Sequence, residues 1–289
     1  MNIKNRIYLK ESVLVMSKIN YDPVKNSFAR IIRGSKRMRR LFYFLLDLFF
    51  LRSWHIRRIL LEKGEKPEQL GSWTLLDAGC GFGQYDRFLL DKFQQVQIKS
   101  VDVKEDYLED NRHYFRHEID NGRITFQKAD LIDFSTKERY DAIICIDVLE
   151  HIEEDERVIK NLSKSLKKGG FFLMHSPSHY SEEDAGSENT FVGEHARTGY
   201  SKDEIEKKLM EADLLPEKTH YTYGYWGRLS WILSVKWPMI WFNKLNLIAV
   251  IPLMVYYPVI LPFCLLMNFA DLFAKNSKGN GIYALARRI

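Results

Sequence analysis

Three glycines alternate with other residues in the segment LLDAGCGFGQYDRFLL, at positions 79, 81 and 83. Glycine weakens both strands and helices, so this concentration predicts either a sharp bend or a ligand that approaches the backbone closely. Asp77 lies just before the glycines, at the end of an apolar run. A carboxylate beside a pyrophosphate would repel it, so Asp77 argues against a dinucleotide and favours a cationic ligand.

Further carboxylates follow at positions that suit a nucleoside. Asp102 comes nineteen residues after Gly83 and ends the second predicted strand, where an acidic group can accept hydrogen bonds from a ribose. Asp130 follows the third predicted strand, where it can accept a hydrogen bond from an amino group. Gln84 occupies the position of the third glycine of the usual dinucleotide pattern. A ligand with a ribose, an exocyclic amine and an ammonium group, but no phosphate, fits these sites: S-adenosylmethionine.

The elements that must position these residues alternate between short apolar runs and longer amphipathic segments. This pattern predicts an α/β fold, a doubly wound, Rossmann-like sheet of seven strands with N-terminal helices and an apolar helical insert between the last two strands. The predicted strands are residues 73–78, 97–102, 123–128, 140–146, 171–175, 216–223 and 281–289. The first three predicted helices are residues 84–93, 105–117 and 154–167. A fourth begins at a capping box, residues 201–204, and runs to about residue 213.

Composition shifts predict four parts of the chain: a basic helical arm (1–66), a nucleoside-binding domain (67–222), an apolar insert or cap (223–279) and a final strand (280–289). The arm carries sixteen Lys and Arg against five Asp and Glu, a net charge of +11, and the rest of the chain has 27 against 33, a net of −6. A basic arm on a mildly acidic body predicts an anionic partner surface.

Five motifs carry a family resemblance: DAGCGFGQ, VDV at 101–103, KADL at 128–131, YDAIICIDVLEHI and LKKGGFFLMHSPS. Over roughly residues 70–222 and the final strand, they resemble class I S-adenosylmethionine-dependent methyltransferases. Within the fourth motif, VLEHI is most similar to the small-molecule methyltransferases of the ubiquinone-biosynthesis O-methyltransferase group.

The resemblance implies roles for residues of these motifs. Gly79 and Gly81 would let the backbone approach the methionine portion of the cofactor, and Asp77 would face its amino group. Asp102 would hold the ribose, and Asp130 with the Leu131 amide would contact the adenine edge. The full predicted cofactor set is Asp77, Gly79, Cys80, Gly81, Gly83, Asp102, Val103, Asp130, Leu131 and Ile146. The alternative is that the glycines serve only a tight turn.

Candidates for a catalytic base are Glu150, His151 and His195. Asp147, Glu150 and His151 have i, i+3, i+4 spacing, so they would share one face of a helix if the segment is helical. The related ubiquinone enzymes hold a divalent ion with such a group, so a divalent metal is one expectation. The alternative is that Asp147 and Glu150 cap a helix while His151 fixes the loop, and that His195 is an ordinary loop residue.

The partner class depends on two apolar segments. Residues 41–51 are apolar except for Asp47, lie between basic clusters, and suit either an interfacial membrane helix or helices packed on the main domain. Residues 245–270 contain no charge and could span a bilayer. If the final strand returns to the sheet, both ends of the 245–270 segment lie on the same side of the membrane. This predicts a re-entrant hairpin or an interfacial pair of helices. The alternative is a cap over the substrate pocket or a dimer interface.

These observations predict a methyltransferase that methylates a hydroxyl of a lipophilic small molecule at a membrane surface. The alternatives are a cofactor-binding scaffold without turnover and an NAD-dependent oxidoreductase. No segment resembles the NPPY motif of nucleic-acid base methyltransferases, so no nucleic-acid partner is expected. Unpaired cysteines and the absence of a signal-peptide pattern predict a cytoplasmic protein on the inner membrane face.

Overall fold

The computed structural model describes residues 35–64, 72–181 and 196–289. The chain divides into two compact units, Met1–Phe44 and Leu45–Ile289. In the described part of the first unit, Nε of Arg39 donates a hydrogen bond of 2.7 Å to the hydroxyl of Tyr43, one helical turn later. The sheet and all the site residues discussed below belong to the second unit.

Seven strands form one sheet. They are β1 (Trp73–Ala78), β2 (Val96–Asp102), β3 (Ile124–Lys128), β4 (Tyr140–Ile146), β5 (Leu166–Pro177), β6 (Leu214–Thr222) and β7 (Gly281–Arg288). The order across the sheet is β3-β2-β1-β4-β5-β7-β6. Strands β1 to β5 pair in parallel, and β7 runs antiparallel between β5 and β6. The predicted seven-stranded α/β sheet is therefore confirmed.

Helices precede the sheet, connect its strands and form the insert. In chain order they are α1 (Lys36–Phe49), α2 (Leu51–Gly64), α3 (Gln84–Lys92), α4 (Glu105–Tyr114), α5 (Arg116–Asp120), α6 (Asp155–Ser165), α7 (Lys202–Met210), α8 (Tyr225–Trp231), α9 (Trp237–Leu245) and α10 (Val250–Phe273).

The core lies on both faces of the central strands. On one face, Leu76 and Ile143 pack with Leu162 of α6 and Ile205 of α7. Side chains alternate along a strand, so the neighbouring Leu75, which is also fully buried, points to the opposite face. Burial on both faces explains why these strands read as nearly continuous apolar runs.

The basic residues around the first apolar run turn partly inward. Arg57 of α2 forms an ion pair with Asp47, and its guanidinium lies 4.3 Å from the centroid of the Phe88 ring. Arg52 pairs with Asp147, at the end of β4. These two cations attach α2 to neighbouring elements, so the interpretation of the whole basic cluster as a membrane-facing surface does not hold for them.

The apolar insert is a helical hairpin between β6 and β7, as predicted. Its first arm is α8, a π-helical segment (Ile232–Lys236) and α9, and a 3₁₀ turn (Asn246–Ala249) leads into α10. We call residues 225–273 the hairpin. Among the described residues, α10 is long and apolar enough to cross a membrane by its length and composition.

Candidate active site

The glycine loop, residues 79–83, joins β1 to α3 at the carboxyl edge of the sheet. Its three glycines have positive φ angles of +89°, +50° and +72°, which favour glycine over residues with a side chain. A Cβ built on Gly79 would lie 2.3 Å from Cγ2 of Val148, whereas a Cβ on Gly81 would meet nothing within 4 Å. Packing therefore requires glycine at position 79, while Gly81 faces open space above the loop.

Asp102 fixes the shape of this loop from the end of β2. Its Oδ2 accepts a hydrogen bond of 2.9 Å from the Gly81 N–H, and its Oδ1 accepts one of 2.9 Å from the Lys104 N–H. An ionised carboxylate has about four acceptor positions, so acceptor capacity remains for a ligand.

Two more carboxylates lie beneath the loop. Asp77, at the end of β1, is 3% exposed, and Asp86, in the first turn of α3, is fully buried. The Ser100 hydroxyl donates a hydrogen bond of 2.9 Å to Asp86. Burial raises the pKa of Asp77 well above its ordinary value, and the neighbouring carboxylates Asp86 and Asp102 raise it further. The charged groups that act on Asp77 are thus all acidic, and the site suits a cation.

The other predicted cofactor residues lie at the same edge or close to it. Val103 is 59% exposed just after β2, and Asp130 is exposed after β3, where its Oδ1 accepts a 2.9 Å hydrogen bond from the Ile132 N–H. Leu131 is buried in the core, and Ile146 is half-buried at the end of β4. These positions follow strands that end at the same edge of the sheet as the glycine loop, because the carboxyl ends of parallel strands meet at one edge.

Cys80, by contrast, lies inside the loop rather than on its surface. It is 8% exposed, and its N–H donates a hydrogen bond of 3.0 Å to the Val101 carbonyl. Burial raises the pKa of its thiol well above the ordinary value. Cys80 is therefore suited to packing and to backbone contact, not to nucleophilic chemistry.

The expected helical face at 147–151 does not form. The segment is a single 3₁₀ turn, Leu149–His151, in which Glu150 is 1% exposed and His151 points to solvent. Glu150 accepts a hydrogen bond of 2.8 Å from the Ser176 hydroxyl. Within residues 35–64, 72–181 and 196–289, no group of three His, Cys, Asp or Glu side chains could hold a metal ion. His195 lies outside the described residues.

Asp147 instead joins a partly buried network that sequence reasoning missed. Its backbone has φ +53°, and its carboxylate pairs with Arg52 from α2. Nδ1 of His175, on β5, lies 2.5 Å from Asp147 Oδ1, and Nε2 lies 3.2 Å from the Thr222 hydroxyl. Burial and the Arg52 guanidinium lower the pKa of His175 to about 3. A neutral histidine fits this geometry if Nδ1–H donates to Asp147 and Thr222 donates to Nε2.

A sequence signal for this network did exist. His175 ends the predicted fifth strand at the carboxyl edge, where functional side chains collect. Arg52 carried no such signal, because it stands among other cations and its partner is 95 residues away.

Glu150→Gln is expected to change how stability depends on pH. Burial raises the pKa of Glu150 to about 7, whereas a glutamate in an unfolded chain titrates near about 4.3. The stability that this group contributes is therefore full below about pH 4 and is lost as the pH rises through 7. Urea unfolding should give similar free energies for both proteins at low pH, and a free energy higher by up to about 4 kcal/mol for the variant at pH 8.

The matched control for this measurement is Glu153→Gln, an exposed neighbour in the same segment. It should leave the pH dependence of unfolding as in the unaltered protein. Parallel curves for Glu150→Gln and the unaltered protein would contradict the prediction.

Comparisons with known proteins agree with this arrangement. A family described as a methyltransferase domain matches residues 76–172, which run from β1 through the glycine loop into β5. The (S)-coclaurine N-methyltransferase of Papaver somniferum is 25% identical over 118 residues, 40% of this chain and 32% of that relative. The ubiquinone biosynthesis O-methyltransferase of Rickettsia akari is 27% identical over 105 residues, 36% of this chain and 40% of the relative. The chain thus matches less than half of the length of either relative.

A solved structure extends the likeness over most of the fold. It is the magnesium protoporphyrin IX methyltransferase of Synechocystis with bound SAH, at a TM-score of 0.53 and 16% identity, covering 92% of this chain and 95% of that one. At this identity the likeness concerns the fold alone. The matched family and the fold, together with the acidic glycine loop, identify a class I S-adenosylmethionine-dependent methyltransferase domain in this chain.

Proposed function

We propose that this protein transfers the methyl group of S-adenosylmethionine to a hydroxyl oxygen of a lipophilic small molecule at a membrane surface. The observation that carries the proposal is the glycine loop, where Gly81 faces open space and the acidic side chains Asp77, Asp86 and Asp102 lie beneath or beside it. The cofactor, when bound, supplies the electrophilic methyl group, so the protein mainly positions the acceptor and excludes water.

The residues at this edge of the sheet fit S-adenosylmethionine better than a dinucleotide. Gly79 and Gly81 would lie against the methionine portion, with its cationic groups close to Asp77, and Asp102 would accept from the ribose hydroxyls. Asp130 and the Leu131 amide would contact the adenine edge. A pyrophosphate would meet the same carboxylates and be repelled, which disfavours the NAD-dependent oxidoreductase.

A hydroxyl acceptor must lose a proton during methylation. Glu150 and His151 are the described candidates to receive it, and His195 remains a third. Burial brings the pKa of Glu150 to about 7, which is close to the value that suits a general base at neutral pH. We therefore favour Glu150 for this role, with the Arg52, Asp147 and His175 network as a neighbouring positioning element.

Two observations support a lipophilic acceptor. One matched relative is named as a ubiquinone biosynthesis O-methyltransferase. The hairpin exposes large apolar side chains along α10, such as Ile251 and Leu266, which are 71% and 67% exposed. Exposed apolar patches of this kind mark membrane or ligand contacts.

Cofactor binding is tested by the pair Gly81→Ala and Gly122→Ala. Both glycines have positive φ, +50° and +69°, and a Cβ on either meets nothing within 4 Å. Each substitution should cost about 1 kcal/mol in the free energy of unfolding through backbone strain. Only Gly81 lies in the site, so calorimetry should give at least tenfold weaker S-adenosylmethionine binding for Gly81→Ala and unchanged binding for Gly122→Ala. Equal affinities would contradict the assignment of the loop.

Turnover is tested separately, by incubating the protein with a lipid extract and S-adenosylmethionine labelled in its methyl group. Label in the organic phase supports the enzyme. Cofactor binding without labelled product would instead favour the scaffold without turnover.

A further inference from the structure

We infer that the hairpin lies flat in one leaflet of an anionic membrane, with α10 facing the acyl chains and the cations of the first arm at the level of the phosphates. This rests on the membrane-surface part of the proposed function and is independent of methyl transfer.

The first observation is an apolar stripe along the whole of α10. Its members recur at spacings of three, four and seven residues, so they share one face of the helix. Each is between 57% and 72% exposed, which is unusual for large apolar side chains. We define the apolar stripe as Ile251, Val255, Val259, Leu266, Phe269 and Phe273.

The opposite face of α10 is occupied by the first arm of the hairpin. The Tyr257 hydroxyl donates a hydrogen bond of 2.9 Å to the Ser234 carbonyl, and the Ser230 hydroxyl donates one of 3.0 Å to the Cys264 carbonyl. The two arms therefore run antiparallel in close contact. The apolar stripe points away from this packed face, toward whatever surrounds the protein.

The position of the lysines decides between crossing and lying flat. Lys236 follows Ser234 by two residues, so it lies level with Tyr257, near the middle of the hairpin. Lys244 lies just before the turn at the tip. A crossing hairpin would hold Lys236 near the bilayer centre and carry Lys244 through the hydrocarbon, and both placements are costly. A flat hairpin leaves both ammonium groups among the headgroups.

Charge also favours a lipid surface over a second copy of the chain. The first arm carries Arg228, Lys236 and Lys244 and no acidic residue, and Lys275 and Lys278 follow α10. Two copies related by a two-fold axis would bring like charges together, whereas anionic lipids attract basic residues that lie beside an apolar face.

Depth measurements on single cysteines test the inference. Three variants of the full chain are labelled with an environment-sensitive fluorophore: Ile251→Cys, Val259→Cys and Phe273→Cys. The introduced cysteine is the accessible one in each, because the native Cys80, Cys145 and Cys264 are buried. Vesicles of phosphatidylcholine and phosphatidylglycerol carry a quencher either at the headgroup or deep in the acyl chain. A flat hairpin gives all three labels the same depth in the outer leaflet, with quenching ratios within about twofold.

Controls separate this result from its alternatives. Met210→Cys, an equally exposed apolar site on α7, should show no quenching. A depth that increases steadily from Phe273 to Ile251 would overturn the inference in favour of crossing. Label-to-label energy transfer without vesicles, and no quenching with them, would overturn it in favour of self-association.

The basic residues have their own test. Lys236→Glu with Lys244→Glu should lower partition onto anionic vesicles at least tenfold and leave partition onto phosphatidylcholine vesicles unchanged. An unchanged partition onto anionic vesicles would overturn the proposed role of these lysines. S-adenosylmethionine binding is measured on every variant, so that failure of the membrane inference with intact cofactor binding is distinguished from failure of the proposed function.

Discussion

Asp102→Ala is expected to weaken S-adenosylmethionine binding at least about 100-fold. The substitution removes the acceptor for the Gly81 and Lys104 N–H groups and, in the proposed complex, the acceptor for the ribose hydroxyls. A hydrogen bond to a charged group contributes about 1.5–3 kcal/mol, and two or more are lost here. Isothermal titration calorimetry on the folded variant measures the effect.

Two further variants make this measurement specific. Asp102→Asn keeps one acceptor oxygen but loses the charge, so its affinity should fall between the unaltered protein and Asp102→Ala. Glu109→Ala, at an exposed position on α4, should bind with unchanged affinity. Unchanged binding by Asp102→Ala would remove the basis of the proposed cofactor site.

Asp271→Ala is expected to destabilise the protein by about 3 kcal/mol. Asp271 is fully buried at the end of α10, where it accepts hydrogen bonds of 3.0 Å from the Gly227 N–H and 3.2 Å from the Asn276 amide. His55 of α2 lies 3.7 Å away. The substitution would leave the buried Gly227 N–H without its acceptor and would remove one of the two acceptors of the Asn276 amide, at about 1–3 kcal/mol for each lost partner. Urea unfolding of the full chain measures the loss.

Asp271→Asn provides the comparison, because its amide oxygen can still accept from Gly227. We expect it to lose less than half as much stability as Asp271→Ala. If both variants unfold at the same urea concentration as the unaltered protein, the hydrogen bonds of Asp271 do not contribute to stability as predicted.

The sheet could be predicted well where both faces of a strand are buried. The predicted bounds of β1 and β4 match the observed ones, because their apolar runs end at turn residues or charges. The N-cap half of the predicted capping box was also confirmed, since the Ser201 hydroxyl accepts a hydrogen bond of 3.2 Å from the Glu204 N–H. Strand β5 is longer than predicted: the glycine pair after Lys168 does not follow a helix end but lies within the strand, where Gly169 has φ +77°.

The candidate site was only partly predictable. Asp77, Asp102 and the glycines could be recognised because the motif and its strand are contiguous in sequence. The pairing of Arg52 with Asp147 and His175 depends on how α2 packs, which no local pattern encodes. Asp147, Glu150 and His151 would share one face only if the segment were helical; the chain forms a single 3₁₀ turn there, in which Glu150 is buried and His151 is exposed.

The hairpin also bears on how the sheet is completed. Strands β6 and β7 pair along their whole length, although about 60 residues separate them in sequence. Closing a disordered loop of that length costs roughly 2 kcal/mol more in chain entropy than closing a tight four-residue turn. Both ends of the folded hairpin lie together, since the Asn276 amide donates to the Tyr221 carbonyl at 3.2 Å and the Asn280 N–H donates to the Tyr223 carbonyl at 3.2 Å. A hairpin that folds first therefore makes a distant strand pairing effectively local, and anything that orders it early should speed the closing of the sheet.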